Sequence, residues 1–190
     1  MKSRLLLPAA LAMLCCACVT HIRTNVSENP PPREPLSAFQ HFQLQPVVAA
    51  NGKVSEQTDA MARISSNTRQ KLGNTISRWE NASQSGRTLT IEPRIMELKF
   101  VSGTKRFFAG DFAGSSAVIM HLRLTDAGTG QVIADPEFYQ RAAAEGGTWT
   151  FGATDKGMLV RISTVAQQYL QRNYSHAVGG PTGLDSSEER

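Results

Sequence analysis

The sequence predicts an α+β domain: a two-layer sandwich in which a mostly antiparallel sheet of about four strands carries two helices on one face, in the order β-α-β-β-β-α. Three observations point there. Two stretches repeat their apolar residues at spacings of three and four, the helical period, while several shorter stretches alternate apolar with polar residues, the strand period. After the first helical stretch, the strand-like stretches follow one another with no helix between them, which favours antiparallel neighbours.

The first strand falls in residues 39–48, where Phe42 and Leu44 alternate before Pro46 and Val47, and Asn51-Gly52 then supplies a turn. Ser55 is placed to cap the helix that follows, its hydroxyl accepting a bond from an otherwise unpaired amide. Met61, Ile64, Thr68, Leu72, Ile76 and Trp79 form one buried stripe on that helix. Gly73 lies within it at a cost of about 1 kcal/mol relative to alanine, which suggests a close approach to the sheet. Over residues 88–101, Leu89 and Ile91 alternate in one phase and Leu98 and Phe100 in the other, so a bulge or bend is expected between Pro93 and Met96, with Pro93 facing away from the ladder. Val118, Met120, Leu122 and Leu124 share one face of the next strand, and His121 and Arg123 share the other. Thr125-Asp126-Ala127-Gly128-Thr129-Gly130 turns the chain into residues 131–134 as a hairpin, and strand character resumes over 138–144 until Gly146-Gly147 ends it. Asp155 or Thr154 caps a last helix, which carries Met158, Leu159, Ile162, Val165, Ala166, Tyr169 and Leu170 on one side.

With 190 residues, 41% hydrophobic and 19% charged, the composition is that of a globular protein with room for one domain of about 140 residues, assigned to 38–174. Lys2 and Arg4 precede an apolar run over residues 5–14 that is broken only by Pro8 and falls well short of the roughly 20 residues that span a bilayer. Residues 1–17 therefore read as a cleaved signal peptide. Removing Lys2 and Arg4 with it leaves 18 basic against 16 acidic residues, too even a balance for a nucleic-acid partner. The three cysteines, Cys15, Cys16 and Cys18, stand together, so no disulfide can form beyond residue 18. Residues 18–37, with Asn29-Pro30-Pro31-Pro32-Arg33-Glu34-Pro35, read as an extended spacer, and residues 175–190 as a disordered tail.

Leu14-Cys15-Cys16-Ala17-Cys18 resembles the bacterial lipobox, departing from it in having Cys15 where leucine is usual. The resemblance implies acylation of Cys18, with Cys16 as the other candidate acceptor. Several acyl chains on one cysteine would make a stable membrane anchor. Val19 after Cys18, rather than aspartate, implies sorting to the outer membrane by the rule of enteric-type bacteria, with the domain facing the periplasm. Over residues 38–174, the run 87–100, the segment Ala109-Gly110-Asp111-Phe112-Ala113-Gly114-Ser115-Ser116, the hairpin from Leu124 to Ile133 and the last helix are similar to an uncharacterised family of bacterial envelope lipoproteins. The hairpin phrase is also similar to the small α/β domains of curli-secretion and assembly-factor lipoproteins. The family implies location and fold, and carries no activity, cofactor or catalytic residue with it.

The residues themselves assemble no catalytic set. Ser115 lies in a glycine-bounded segment that faintly resembles a nucleophile loop, but none of His21, His41, His121 and His176 is placed beside it by the sequence. No histidine pair stands at a metal-ligand spacing, no phosphate-binding glycine motif opens a helix, and Glu92, Glu97, Asp126 and Asp135 read as solvated strand and turn carboxylates. No metal and no cofactor are expected. One segment has unusual character: Lys105, Arg106, Phe107, Phe108 and Phe112 bring cations and aromatic rings together between glycines, and Trp149 sits in a second segment of that kind. These side chains either cover a sheet edge or form a contact loop for a partner or a membrane. The function expected is that of a membrane-anchored, non-enzymatic accessory module that binds another envelope protein. The alternative is a small-molecule or lipid carrier with a pocket between helices and sheet, and a hydrolase using Ser115 comes third.

Overall fold

The computed structural model describes residues 28–80, 85–100, 116–142 and 153–183. The expected α+β layering is present. Helices α2 (Thr58–Trp79) and α3 (Ala153–Arg172) pack on one face of a sheet formed by β2 (His41–Leu44), β3 (Val48–Ala49), β4 (Thr88–Lys99), β5 (Ser116–Asp126), β6 (Val132–Ala134) and β7 (Glu137–Ala142). A short helix, α1 (Gly52–Ser55), precedes α2, and β1 (Glu28–Asn29) pairs with β8 (Gly180–Pro181) as a separate ribbon.

The sheet therefore has six strands where about four were expected, and its order differs. The antiparallel pair β4 and β5 forms the centre; β2 and β3 follow one another along the outer edge of β4, and β6 and β7 along the outer edge of β5. Each edge track is interrupted at a proline, Pro46 between β2 and β3 and Pro136 between β6 and β7, because proline brings no N–H to a ladder. The mostly antiparallel expectation also needs correction on one side. Both β2 and β3 run parallel to β4, since α2 carries the chain across the sheet before β4 begins.

Local chemistry explains the elements. The register slips between Ile95 and Glu97, so Met96 is the bulged residue and both apolar phases of β4 reach the helix side, with Leu89, Ile91, Ile95 and Leu98 all buried. Pro93 lies opposite Leu122, whose N–H donates away from β4 to the Pro136 carbonyl; Pro93 thus sits in a non-bonded pair and aims its nitrogen at the break between β2 and β3. Asn51, where the sequence indicates a turn, caps α1, its Oδ1 accepting from the Val54 N–H at 3.1 Å. Ser55 ends α1 and donates to the Gly52 carbonyl, so it does not cap α2. The α2 stripe is buried at Ile64, Thr68, Leu72 and Ile76, and a 2.9 Å bond between the Thr68 and Ser163 hydroxyls joins α2 to α3 in a buried interface. A Cβ on Gly73 would meet nothing within 4 Å, so this glycine does not mark a close approach.

The domain extends past the expected limits at both ends. Pro35 holds the extended geometry expected of the proline run, yet from Asn29 onward the spacer is packed: Leu36 is fully buried, and the amides of Arg33, Leu36 and Ser37 donate to the carbonyls of Ile133, Asn173 and Tyr174. At the other end, Asn173 is buried and its side chain bonds residues 178 and 179, which leads the supposed tail into β8. Gly179 is required there, since its φ is +74° and a Cβ would collide with the Asn29 carbonyl oxygen.

Candidate functional site

The expected acylation site Cys18, the alternative Cys16 and the contact-loop residues Lys105, Arg106, Phe107, Phe108, Phe112 and Trp149 all lie outside the described residues. What the fold does fix is where the segments that carry them attach. Lys99 pairs opposite Ala117, and Ser116 opposite Ala142, so the chain leaves β4, enters β5 and leaves β7 at one end of the sheet. Arg161, two turns into α3, donates to the Gln140 side chain and the Arg141 carbonyl, which sets the start of α3 beyond that same end. Both aromatic segments are thus rooted together. Between the N-termini of α2 and α3 and the end of β4, an open cleft of about 390 Å³ is lined by Gln57, Asp59, Arg63, Phe100, Lys156 and Leu159 among others.

The N-terminal strap, residues 28–37, is held along the opposite flank of the sheet. The Asn29 side chain mimics a strand: its Nδ2 donates to the Glu137 carbonyl at 2.7 Å and its Oδ1 accepts from the Glu137 N–H at 2.8 Å. Tyr169 donates its hydroxyl to the Pro30 carbonyl at 3.0 Å, and burial pushes that phenol above its ordinary range, so it stays protonated. Arg87 closes the strap. Its guanidinium forks onto Glu34 at 2.7 and 2.8 Å, donates twice to Asp126 and lies 4.3 Å from the centre of the Phe39 ring.

Asp126 corrects a reading made from sequence. It is 2% exposed rather than a solvated turn carboxylate, and it accepts from the Gly128 and Thr129 amides as well as from Arg87. The Arg87 hydrogen bonds, followed by those two amides, hold its carboxyl below the usual range, and Arg87 does the same for Glu34. The Arg87 guanidinium is held protonated in turn.

His121 is a face residue as expected, its ring nitrogens 3.2 Å from Glu137 and 3.4 Å from Asp135. It stands five residues along β5 from Ser116, or about 17 Å, which puts it far from any nucleophile at the head of that strand. His41 bonds Glu80 at 3.1 Å on the other edge of the sheet. Among the described residues no three His, Cys, Asp or Glu side chains could together hold a metal ion, and no helix is long and apolar enough to cross a membrane.

Fold and strap together describe a small α+β domain bound to its own N-terminal segment. No family model matches the chain, and no curated protein matches it. Among solved structures it is similar to a PelC dodecamer from Paraburkholderia phytofirmans, at 13% identity and a TM-score of 0.44 over 71% of this chain and 91% of that one. It is also similar to a DUF330 protein from Xanthomonas campestris, at 13% identity and a TM-score of 0.42 over 72% and 86% of the two chains. A protein from Caulobacter crescentus provisionally called a lipoprotein matches at 15% identity and a TM-score of 0.34 over 74% and 93%.

Proposed function

We propose that this chain is a lipid-tethered module of the bacterial envelope, acylated at Cys18, that works by contact with another envelope protein and not by catalysis. The observation that carries this reading is the strap. Residues 28–37 belong to the fold, so an anchor at Cys18 stands ten steps before Glu28, and ten steps reach at most about 33–36 Å. Such a tether holds the domain at the membrane surface, where a partner embedded in the outer membrane would meet it, and forbids long excursions across the periplasm. The carrier alternative finds no support in the layer where its pocket was expected, since Ile64, Leu72, Ile91, Met120, Leu122 and Phe138 fill the space between helices and sheet.

Two measurements in intact cells test the proposal. Metabolic labelling with a fatty-acid probe should mark the wild type and not Cys18→Ser; undiminished label on the variant moves the anchor to Cys16 or elsewhere. A photo-crosslinking residue at Arg63 or Lys156 should capture a discrete envelope protein at native abundance, and repeated recovery of the uncrosslinked chain alone would defeat the contact reading.

A further inference from the structure

We infer that the domain rests on the bilayer with one particular end down: the end formed by the N-termini of α2 and α3 and the last residues of β4, turned towards zwitterionic lipid headgroups. This rests on the tethered reading above, and it adds which surface the tether presents.

The direction of the strap is the first argument. Followed backward from Leu36, the chain passes Arg87 and Asp126 at the hairpin end, then Ile133, and reaches Glu137 at Asn29. It then pairs with β8, whose next residues, Thr182 and Gly183, bond Tyr139 and Gln140 in the direction of Ala142. At Glu28 the chain is therefore heading away from the hairpin and towards the cleft end. Asn29, level with Glu137, is five residues short of Ala142, so about 17 Å of strand separates it from that end. The ten steps from Cys18 to Glu28 are long enough to cover this distance without a reversal of direction.

Surface chemistry is the second argument, and it is independent of the first. Phe100 and Val160, 39% and 41% exposed, lie at the cleft end, whereas the exposed Val48 sits at mid-sheet, opposite Arg94 and level with His121, and the exposed Val178 follows the C-terminus of α3. The hairpin tip carries no such side chain: residues 127–131 are Ala127, Gly128, Thr129, Gly130 and Gln131. Around the cleft, Arg63 and Lys156 stand with Glu56, Asp59 and Asp155. A rim of mixed sign with apolar groups at its centre complements a headgroup layer in which phosphate and ammonium lie side by side above hydrocarbon.

The acylated mature protein has no free thiol beyond the anchor, so a single introduced cysteine carries a donor fluorophore. Lys156→Cys marks the cleft end and Ala127→Cys the hairpin, roughly 35 Å apart along the eleven residues of β5. Each is reconstituted into vesicles of phosphatidylethanolamine and phosphatidylcholine carrying a headgroup-linked acceptor. Energy transfer at least about twofold stronger from position 156 is expected; equal transfer, or stronger transfer from 127, overturns the orientation while leaving the tether intact. Protein that fails to float with the vesicles overturns the tether and the orientation with it. Asn29→Ala, which frees the strap and lengthens the link, should bring the two signals together, and an undiminished difference would show that the strap does not set the orientation.

Discussion

Replacing Asn29 by alanine should destabilise the whole domain, although the residue lies in a stretch that composition alone assigns to a spacer. Its side chain is 4% exposed and makes two bonds, of 2.7 and 2.8 Å, to the carbonyl and amide of Glu137. Removing a buried partner costs about 1–3 kcal/mol per group left behind, so the pair predicts a loss of about 2–6 kcal/mol. In a domain of this length each kcal/mol lowers Tm by about 2–4 °C. Urea denaturation followed by the fluorescence of Trp79 measures the loss, and amide exchange at Glu137 locates it. Asn29→Asp sharpens the comparison: it keeps an acceptor for the Glu137 N–H but sets a second acceptor against the Glu137 carbonyl, so it should lose stability as well despite its matching shape. A cost below about 1 kcal/mol for the alanine variant, with unchanged exchange at Glu137, would mean that the strap is not part of the cooperative unit, and the short-tether argument would fall with it.

Gly73→Ala should stabilise the protein by about 1 kcal/mol in the same denaturation assay, because the new methyl group meets nothing and the helical backbone loses less freedom on folding. Thr68→Val should cost about 1–3 kcal/mol by stranding the buried Ser163 hydroxyl, and adding Ser163→Ala should recover most of it, a coupling read from a double-mutant cycle. Asp126 has a folded pKa below its unfolded value near 4, so its contribution is complete above that value and disappears as pH falls through the folded one. Stability measured against pH should therefore decline below about pH 4, and less steeply in Asp126→Asn; parallel curves would refute the assignment.

The parts of this fold that the sequence announces are those with a period. The stripe of α2, the stripe of α3, the two-phase pattern that places a bulge at Met96 and the hairpin around Gly128 all follow from side chains sorted between a core and a surface. The strap has no such signature. Asn29, Arg33 and Tyr169 hold it through backbone groups, and proline-rich chain takes the same extended conformation whether docked or free. The parallel alignment of β2 is likewise set by where α2 delivers the chain, information that four residues cannot carry. At the site, Asp126 was legible as a turn residue but not as a buried ion, because its partner Arg87 is 39 positions away and opens a different strand. A signal was present in hindsight: an acid that can cap a turn at the end of an apolar strand, with an arginine entering the neighbouring strand.

The long sequence separations in the strap also have a consequence in time. Every partner of residues 29–37 named above lies at position 87 or later, and those that fix Asn29, Pro30 and Leu36 lie at 137, 169 and 173. A chain delivered from its N-terminus cannot close these contacts until nearly all of it has arrived, and contacts of such separation form late in any case. In the tethered reading proposed above, the stretch that follows Cys18 would thus be without its docking surface throughout export, open to whatever enzymes cleave and acylate it. Completion of the domain would then take up the slack, so that on this proposal the finished fold itself draws the modified end in and shortens the leash.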